Sequence, residues 1–399
     1  MRWLTLTMIV GNIATWMYMP FLPLYLGSLG ASAEQVGIFY TVQVAASLAS
    51  RIVGGWISDH MGRLAAVWMG SIPGWLALVG FLLAPTWEWL MVVVLVRQMG
   101  VSLVAPSFRA YIAENAPEGS LSRTFGLVEG LFLICNIIGP LLGGVLIERV
   151  GYQAMFAVAT IIFTIALLIR RWLARRANER VQLGALRVAS LGADLRNVLG
   201  MLAVGGLLFW LFVTDGLMDA ALQLQNTFAA LYMRDVLSIG ETEFGVLMSA
   251  FSVVAALSMV PAGMLADRYG ERWSIALGAG SGALLWLVIT QTNSLPLAMA
   301  CFCALGAGRA LVEPAFSALV SRAVPRESLE MTWGVFLTAF GLVAIPAPYV
   351  GGLLYDYSSP QATFYLVAGL AVATIPLVLA RLHAPEPGPQ LAAATSSTD

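Results

Sequence analysis

Long apolar runs separated by short polar breaks make up almost the whole chain. A helix crossing a bilayer needs about 20 mostly apolar residues. Runs of that size lie at 4–27, 35–57, 64–84, 88–112, 124–147, 152–171, 199–232, 243–265, 273–291, 295–320, 331–355 and 362–381. The pattern predicts an all-α membrane protein with twelve transmembrane helices. The seventh run is over-long, so it either tilts or begins as a surface helix. The only sizeable polar connection runs from Arg171 to Asn197, with apolar residues at loosely helical spacing. It reads either as a linker lying on anionic lipid or as a flexible tether carrying positive charge. The stretch from Pro385 is rich in proline and polar residues and is expected to be disordered. The expected units are 1–171 for a first six-helix half, 172–197 for a linker, 198–384 for a second half and 385–399 for a tail.

Arginine sets the orientation, because short cytoplasmic loops carry the excess of basic residues. One set of connections holds Arg63, Arg123, the run Arg170, Arg171, Arg175, Arg176 and Arg180, then Arg268, Arg272, Arg322 and Arg326. The other holds mainly Arg149 and Arg234. The first set is expected to be cytoplasmic, together with both termini, in a bacterial inner membrane.

Composition removes a soluble reading. Of 399 residues, 59% are hydrophobic and 11% charged, against roughly 25% charged in soluble domains. All 21 basic residues are arginine, so no cation here deprotonates usefully. Cys135, Cys301 and Cys303 lie in apolar runs, with neither a disulfide framework nor a zinc spacing. His60 and His383 fall at turn or tail positions, which leaves no histidine for a buried proton relay or a serine triad. Arg2 precedes an apolar run too long for a cleavable signal. No nucleophile–base pair, metal cluster or phosphate loop is visible. The expectation is therefore no enzyme, no cofactor and no nucleic acid; the partners are a small-molecule substrate, protons and membrane lipids, and the chain is a monomer.

The second half repeats the first. Gly55 to Leu64 reads GWISDHMGRL, and Gly263 to Arg272 reads GMLADRYGER, with Asp59 and Asp267 at a shift of 208. The same shift relates Pro106 to Pro314, Pro117 to Pro325, Thr124 to Thr332, Gly126 to Gly334, Pro140 to Pro348, and Gly143–Gly144 to Gly351–Gly352. Parallel repeats related by an axis along the membrane normal place a substrate path between the halves.

GWISDHMGRL resembles the signature loop of the major facilitator superfamily, and the repeated copy extends that resemblance over nearly the whole chain. The resemblance implies two six-helix halves related by pseudo-two-fold symmetry, with a cytoplasmic gate at Gly55, Asp59, Gly62, Arg63, Glu114, Gly263, Asp267 and Gly270. A carboxylate at Asp59 can accept from the N–H groups of a neighbouring helix N-terminus. Arg63 and Glu114 are its expected partners, in a latch that holds an outward-facing state; the second copy lacks the third member, since position 322 is arginine. VLVRQMG resembles the family motif in which an arginine, here Arg97, is followed by glycine three residues on, a motif associated with proton coupling. GLVEGLFLICNIIGPLLGG resembles the motif of the family's drug:proton antiporters, matched at Gly126, Gly139, Pro140, Gly143 and Gly144, with Cys135 where a glycine is usual. Small residues and a kinking proline suit close helix packing at a hinge or seam.

Two carboxylates in an apolar run are the least ordinary feature. Asp215, Asp219, Gln223 and Asn226 share one face of the seventh span, and two acids one turn apart cannot both be cheaply ionised in a dry site. The tenth span offers Arg309 and Glu313 at i,i+4, with Ser317 on the same face. A subgroup of the drug antiporters likewise carries functional acids in these spans. Many relatives also place an acid in span one, which here has only Asn12, threonines and aromatics. The expected proton-coupling and substrate residues are Asp215, Asp219, Glu313, Arg97 and Arg309. The expected cavity residues are Asn12, Trp16, Tyr18, Gln43, Gln223 and Asn226. Proton-coupled efflux of a lipophilic or amphipathic molecule is the reading; an uptake symporter or uniporter, a lysolipid transporter and a non-transporting receptor remain alternatives. If the signature turn is a gate, Asp59→Asn should slow transport more than Asp267→Asn, measured as initial flux in liposomes. Equal effects would make both turns ordinary topological stops.

Overall fold

A computed structural model describes residues 2–117, 120–177, 207–323 and 342–382; for 2, 51–60, 122, 207–208 and 320–323 it describes the helix and not the side chains. The linker and tail expected from the sequence lie outside the described residues. The first half contains α1 (Arg2–Tyr18), a 3₁₀ turn at Met19–Phe21, α2 (Leu22–Ser28), α3 (Ala33–His60), α4 (Arg63–Leu82), α5 (Trp87–Asn115), α6 (Leu121–Val150) and α7 (Tyr152–Ala177). The second contains α8 (Leu207–Asp235), α9 (Glu241–Tyr269), α10 (Glu271–Gln291), α11 (Leu295–Ala323), α12 (Ala347–Tyr357) and α13 (Pro360–Arg381). Described residues include no strand. Nine of the described helices are long and apolar enough to cross a membrane. The remaining spans are α3, α8, whose start at 199–206 is undescribed, and α12, whose first part at 331–341 is undescribed. The first span is one apolar run in which α1 gives way to the 3₁₀ turn and then to α2; Pro20 sits at the start of the turn and Pro23 at the start of α2, where a missing N–H costs least.

Each half packs within itself through equivalent pairs. In the first, α1 lies on α6 and α7, and α4 on α5 and α7. In the second, α8 lies on α13, and α10 on α11 and α13. The halves meet along two seams, α6 on α9 and α3 on α12. Both seams are backbone on backbone. A Cβ added to Gly144 would run into the Glu241 carbonyl, and one added to Gly352 would run into the Ala33 carbonyl. One seam step further in, Gly245 faces the Pro140 carbonyl and Gly37 the Pro348 carbonyl. Every member of the second seam is its counterpart in the first moved by 208 residues, the spacing of the sequence repeat. Gly139 and Gly143 bring α6 equally close to Trp16 and Met17 of α1. The buried Cys135 thiol lies 3.5 Å from the Ile9 carbonyl on that same contact. Aromatic side chains fill the space beside the seams, and Phe21 meets Phe244 edge-on across the halves at 5.7 Å.

One expectation is corrected. Arg170 is not a loop charge. Helix α7 continues to Ala177, so Arg170 lies within it and is 3% exposed. Its Nη1 donates to Ser71 Oγ at 2.6 Å and its Nη2 to the Thr7 carbonyl at 2.9 Å, and the guanidinium lies over the Phe163 ring at 5.5 Å. Farther along, Arg176 stacks on Trp172 at 4.1 Å, an amphipathic end suited to the membrane interface.

The glycine contacts separate two residues of one motif. Gly144→Ala should destabilise the protein by about 1–3 kcal/mol, the cost of overpacking. Gly126→Ala adds its Cβ to open space and should be neutral or slightly stabilising. Thermal unfolding of both variants in detergent checks this, and equal losses would contradict the packing assignment.

Candidate functional site

One cavity of about 510 Å³ lies between the halves. Helix α8 contributes Asp215, Met218, Asp219, Leu222, Gln223 and Gln225; α11 contributes Arg309, Val312, Glu313 and Ser317. Opposite them stand Gln43 and Ser47 of α3 and Gln98 of α5, and Phe251 and Trp286 close the wall. The polar groups therefore come mainly from the second half, with neutral amides facing them from the first.

Local geometry explains the arrangement. Asp215, Asp219 and Gln223 recur at one helical turn, so they face one way. Arg309 Nε and Glu313 Oε2 stand 3.4 Å apart at i,i+4, both side chains about half exposed to the cavity. A pair that open is weak, and its partners stay free to exchange for a ligand. Trp286 is buried, stacked on Phe364 at 4.2 Å, and its indole N–H donates to Gln225 Oε1 at 3.0 Å. Gln43 Oε1 is buried in the wall without a hydrogen-bond partner among the described residues.

Arg97 stands behind the cavity. Its Nε donates to the Tyr18 hydroxyl at 2.9 Å and its Nη1 to Gln98 Oε1 at 2.9 Å. It reaches the cavity through Gln98, whose carbonyl end it holds.

The structure brings Asp215, Asp219, Gln223, Gln43, Arg309 and Glu313 to one space. It does not bring Asn12, Trp16, Tyr18 or Asn226 there. Tyr18 is 2% exposed, packed between Phe81 and Phe156, and serves Arg97. Trp16 covers Gly139. Asn226 is exposed and outside the cavity wall. Ser47, Gln98 and Gln225 are the polar wall residues that sequence reading missed. Gln98 had a signal, its position beside Arg97; Gln225 is off the acidic face and had none.

At the arginine-rich end, Arg63 Nε pairs with Glu114 Oε1 at 2.9 Å. The pair ties α4 to α5 inside one half, so a latch between halves needs a further partner. Gly62 starts α4 at φ −57°, whereas Gly270 turns the chain at φ +94°, where a side chain is strained. Asp267 is exposed on the last turn of α9, and Gly263 has open space around it. The Asp59 side chain and the surroundings of Gly55 lie outside the described residues.

Two pseudo-symmetric helical halves around one polar cavity define a membrane transporter. The chain belongs to the Major Facilitator Superfamily, whose family model matches residues 4–222 and 211–397. It is 27% identical over 352 residues to the "Multi-drug resistance efflux pump PmrA homolog" of Lactococcus lactis subsp. lactis (strain IL1403), covering 86% of this chain and 85% of the relative. It is 24% identical over 318 residues to the "Na(+), Li(+), K(+)/H(+) antiporter" of Planococcus maritimus, covering 71% and 72%. Among solved structures, a bacterial homologue of the iron transporter ferroportin in the inward-facing state superposes with TM-score 0.77 at 16% identity, over 96% of this chain and 98% of that one. The nucleoside transporter NupG does so with TM-score 0.77 at 14% identity, over 95% and 98%. These likenesses establish the shared fold.

Tyr18→Phe removes the acceptor that Arg97 Nε uses and leaves the cavity lining intact. It should destabilise the protein by about 1–3 kcal/mol, the range for losing a hydrogen bond to a charged group. Unfolding of the purified variant measures this; unchanged stability would show that Arg97 is held by other contacts.

Proposed function

We propose that the protein exports lipophilic or amphipathic, preferably cationic, small molecules in exchange for protons, by alternating access in a bacterial cytoplasmic membrane. The observation that carries the reading is that Asp215, Asp219, Arg309 and Glu313 border one cavity whose other walls are largely apolar. With all three acids ionised against one guanidinium the site is anionic. A proton bound to an acid removes the charge that a cationic substrate needs, so the two compete for one site. That competition, repeated on alternate sides of the membrane, is antiport. The apolar wall of Met218, Leu222, Phe251, Val312 and Phe316 favours an organic ion over a bare metal cation. The naming of one relative as an efflux pump and another as a cation/proton antiporter supports the same direction.

In the proposed orientation the arginine-rich loops and both termini are cytoplasmic. The described hydrogen bonds that cross between halves then lie at the outer end or on the way to it: Ala33 and Glu34 with Asp356, Thr242 with Glu148, Tyr152 with Glu241, Tyr357 with Glu34, Tyr349 with Thr41, and Ser249 with Ile137. Among the described residues this outer end is closed by direct contacts between the halves. In the proposed cycle, acid protonation from outside releases substrate in the outward-facing state, and loss of the proton to the cytoplasm restores the anionic site.

Two measurements on the same preparation test this, with tetraphenylphosphonium as probe. Its binding should weaken as pH falls, approaching about tenfold per pH unit for a one-proton exchange. In liposomes it should drive proton flux with the wild type and not with the Asp219→Asn, Glu313→Gln double variant. Undiminished coupled proton flux in that variant would sink the assignment.

A further inference from the structure

We propose that Glu148 and Asp356 form a paired latch that holds the halves together at their arginine-poor end, each carboxylate capping a helix N-terminus of the opposite half. Asp356 ends α12. Its Oδ2 accepts the Glu34 N–H at 2.7 Å and its Oδ1 the Ala33 N–H at 3.3 Å. Glu148 lies in the last turn of α6, and its Oε2 accepts the Thr242 N–H at 3.1 Å. Glu148 and Asp356 are 208 residues apart, as are Glu34 and Thr242. The repeat thus built the same contact twice, once across each seam, although the residue types at all four positions have diverged except for the two negative charges.

The N–H groups of a first helical turn have no partners within their own helix, and the helix dipole favours an anion there. In α3 the turn is satisfied from both sides. Ser32 Oγ accepts from the Gln35 N–H and Gln35 Oε1 from the Ser32 N–H, while Asp356 takes the two donors between. In α9 the residue before the helix is Gly240, which has no side chain to cap with. Glu243 turns back to the Gly240 N–H at 3.1 Å, and the Thr242 donor goes to Glu148. When the halves separate here, α9 loses an acceptor that its own sequence does not replace.

The surroundings sharpen the effect. Around Glu148 stand Arg149, Glu241, Glu243 and Tyr152, whose hydroxyl donates to Glu241 at 3.4 Å. Around Asp356 stand Glu34, Tyr349 and Tyr357, whose hydroxyl donates to Glu34 at 3.1 Å. Both seams are rich in acids, so the helix donors and tyrosine hydroxyls are what make close approach favourable. Glycines beneath them, Gly144 and Gly352, let the backbones come near enough for the carboxylates to reach. The latch belongs to the end opposite the Arg63–Glu114 pair, and it does not depend on what is carried or on proton coupling.

Its test reads conformation and not transport. In a chain carrying Cys135→Ala, Cys301→Ala and Cys303→Ala, spin labels at Pro85→Cys and Asn293→Cys report the separation of the two halves at this end. Both positions are exposed and related by the repeat. In nanodiscs without substrate, Glu148→Gln and Asp356→Asn keep an amide oxygen but lose the charge, and each should raise the population with the longer distance about two- to fivefold, the scale of a charge removed from a helix N-terminus. The double variant should raise it on the order of tenfold, with Asp356→Asn the stronger single change because it also loses one of two acceptor oxygens. Glu88→Gln, an exposed acid at the same end, should leave the distribution alone. An unchanged distribution in both single variants would overturn the latch, as would an equal shift from Glu88→Gln. The single variants keep side-chain size, so they decide the question even if the double variant does not purify.

Discussion

The close approach of backbone to backbone at two seams is the constraint from which the rest of the structure follows. Where Gly144 meets Glu241 and Gly352 meets Ala33, no side chain separates the halves. Helices that close gain dispersion contacts along their length, in lipid as in water. They also bring each helix start within reach of a carboxylate from the other half. A seam of large side chains would hold the halves apart and leave those carboxylates in solvent. Such a seam has few stable intermediate positions, because packed surfaces are bistable and not continuously deformable.

The seams fix where the cavity can be. They close one end of the space between the halves, and the polar side chains lie beyond them, on α8 and α11 facing α3 and α5. Charge is distributed unequally across that space. The second half supplies the acids and Arg309, while the first offers Gln43 and Gln98 and keeps its own arginines behind the wall. Arg97 is held by Tyr18 and Gln98, and Arg170 by Ser71 and Thr7. Neither has a carboxylate among these partners, so each keeps a positive charge inside the first half, a standing field across the cavity from the acids.

Much of this was legible in the sequence, for reasons that differ by feature. Bilayer thickness dictates span length, so apolar runs located the helices; 64–84 became Arg63–Leu82 and 362–381 became Pro360–Arg381. A hydrophobic run ends where charge begins, not where the helix ends. Arg170 sits at the end of the run 152–171 and was grouped with the arginines that follow it, although α7 extends to Ala177. Helical period identified the face shared by Asp215, Asp219 and Gln223, but period carries no depth. Asn226 shares that face and lies farther along α8, toward the end where Phe228 and Tyr232 are packed in the core. Tyr18 was read as cavity-lining because an aromatic in an apolar span offers no sign of its tertiary partner; its place is fixed by Arg97, which is distant in sequence.

The repeat itself was visible in glycines and prolines, and at the seams the structure shows why the glycines kept their register while other residues drifted. A glycine beneath a carbonyl has no substitute, since any Cβ collides with backbone that cannot move aside. Glu148 and Asp356 are different. Either acid reaches the same donors, so the pair retained charge and position while changing length, and a search for identical residues passes over it. Arg309 and Glu313 have no such constraint from the seams. Their counterparts in the first half, at positions 101 and 105, are Val101 and Ala105. Duplication supplied a symmetric frame that opens and closes; the charges that face the cavity were placed in one half of it, and that asymmetry gives the site a direction the frame alone lacks.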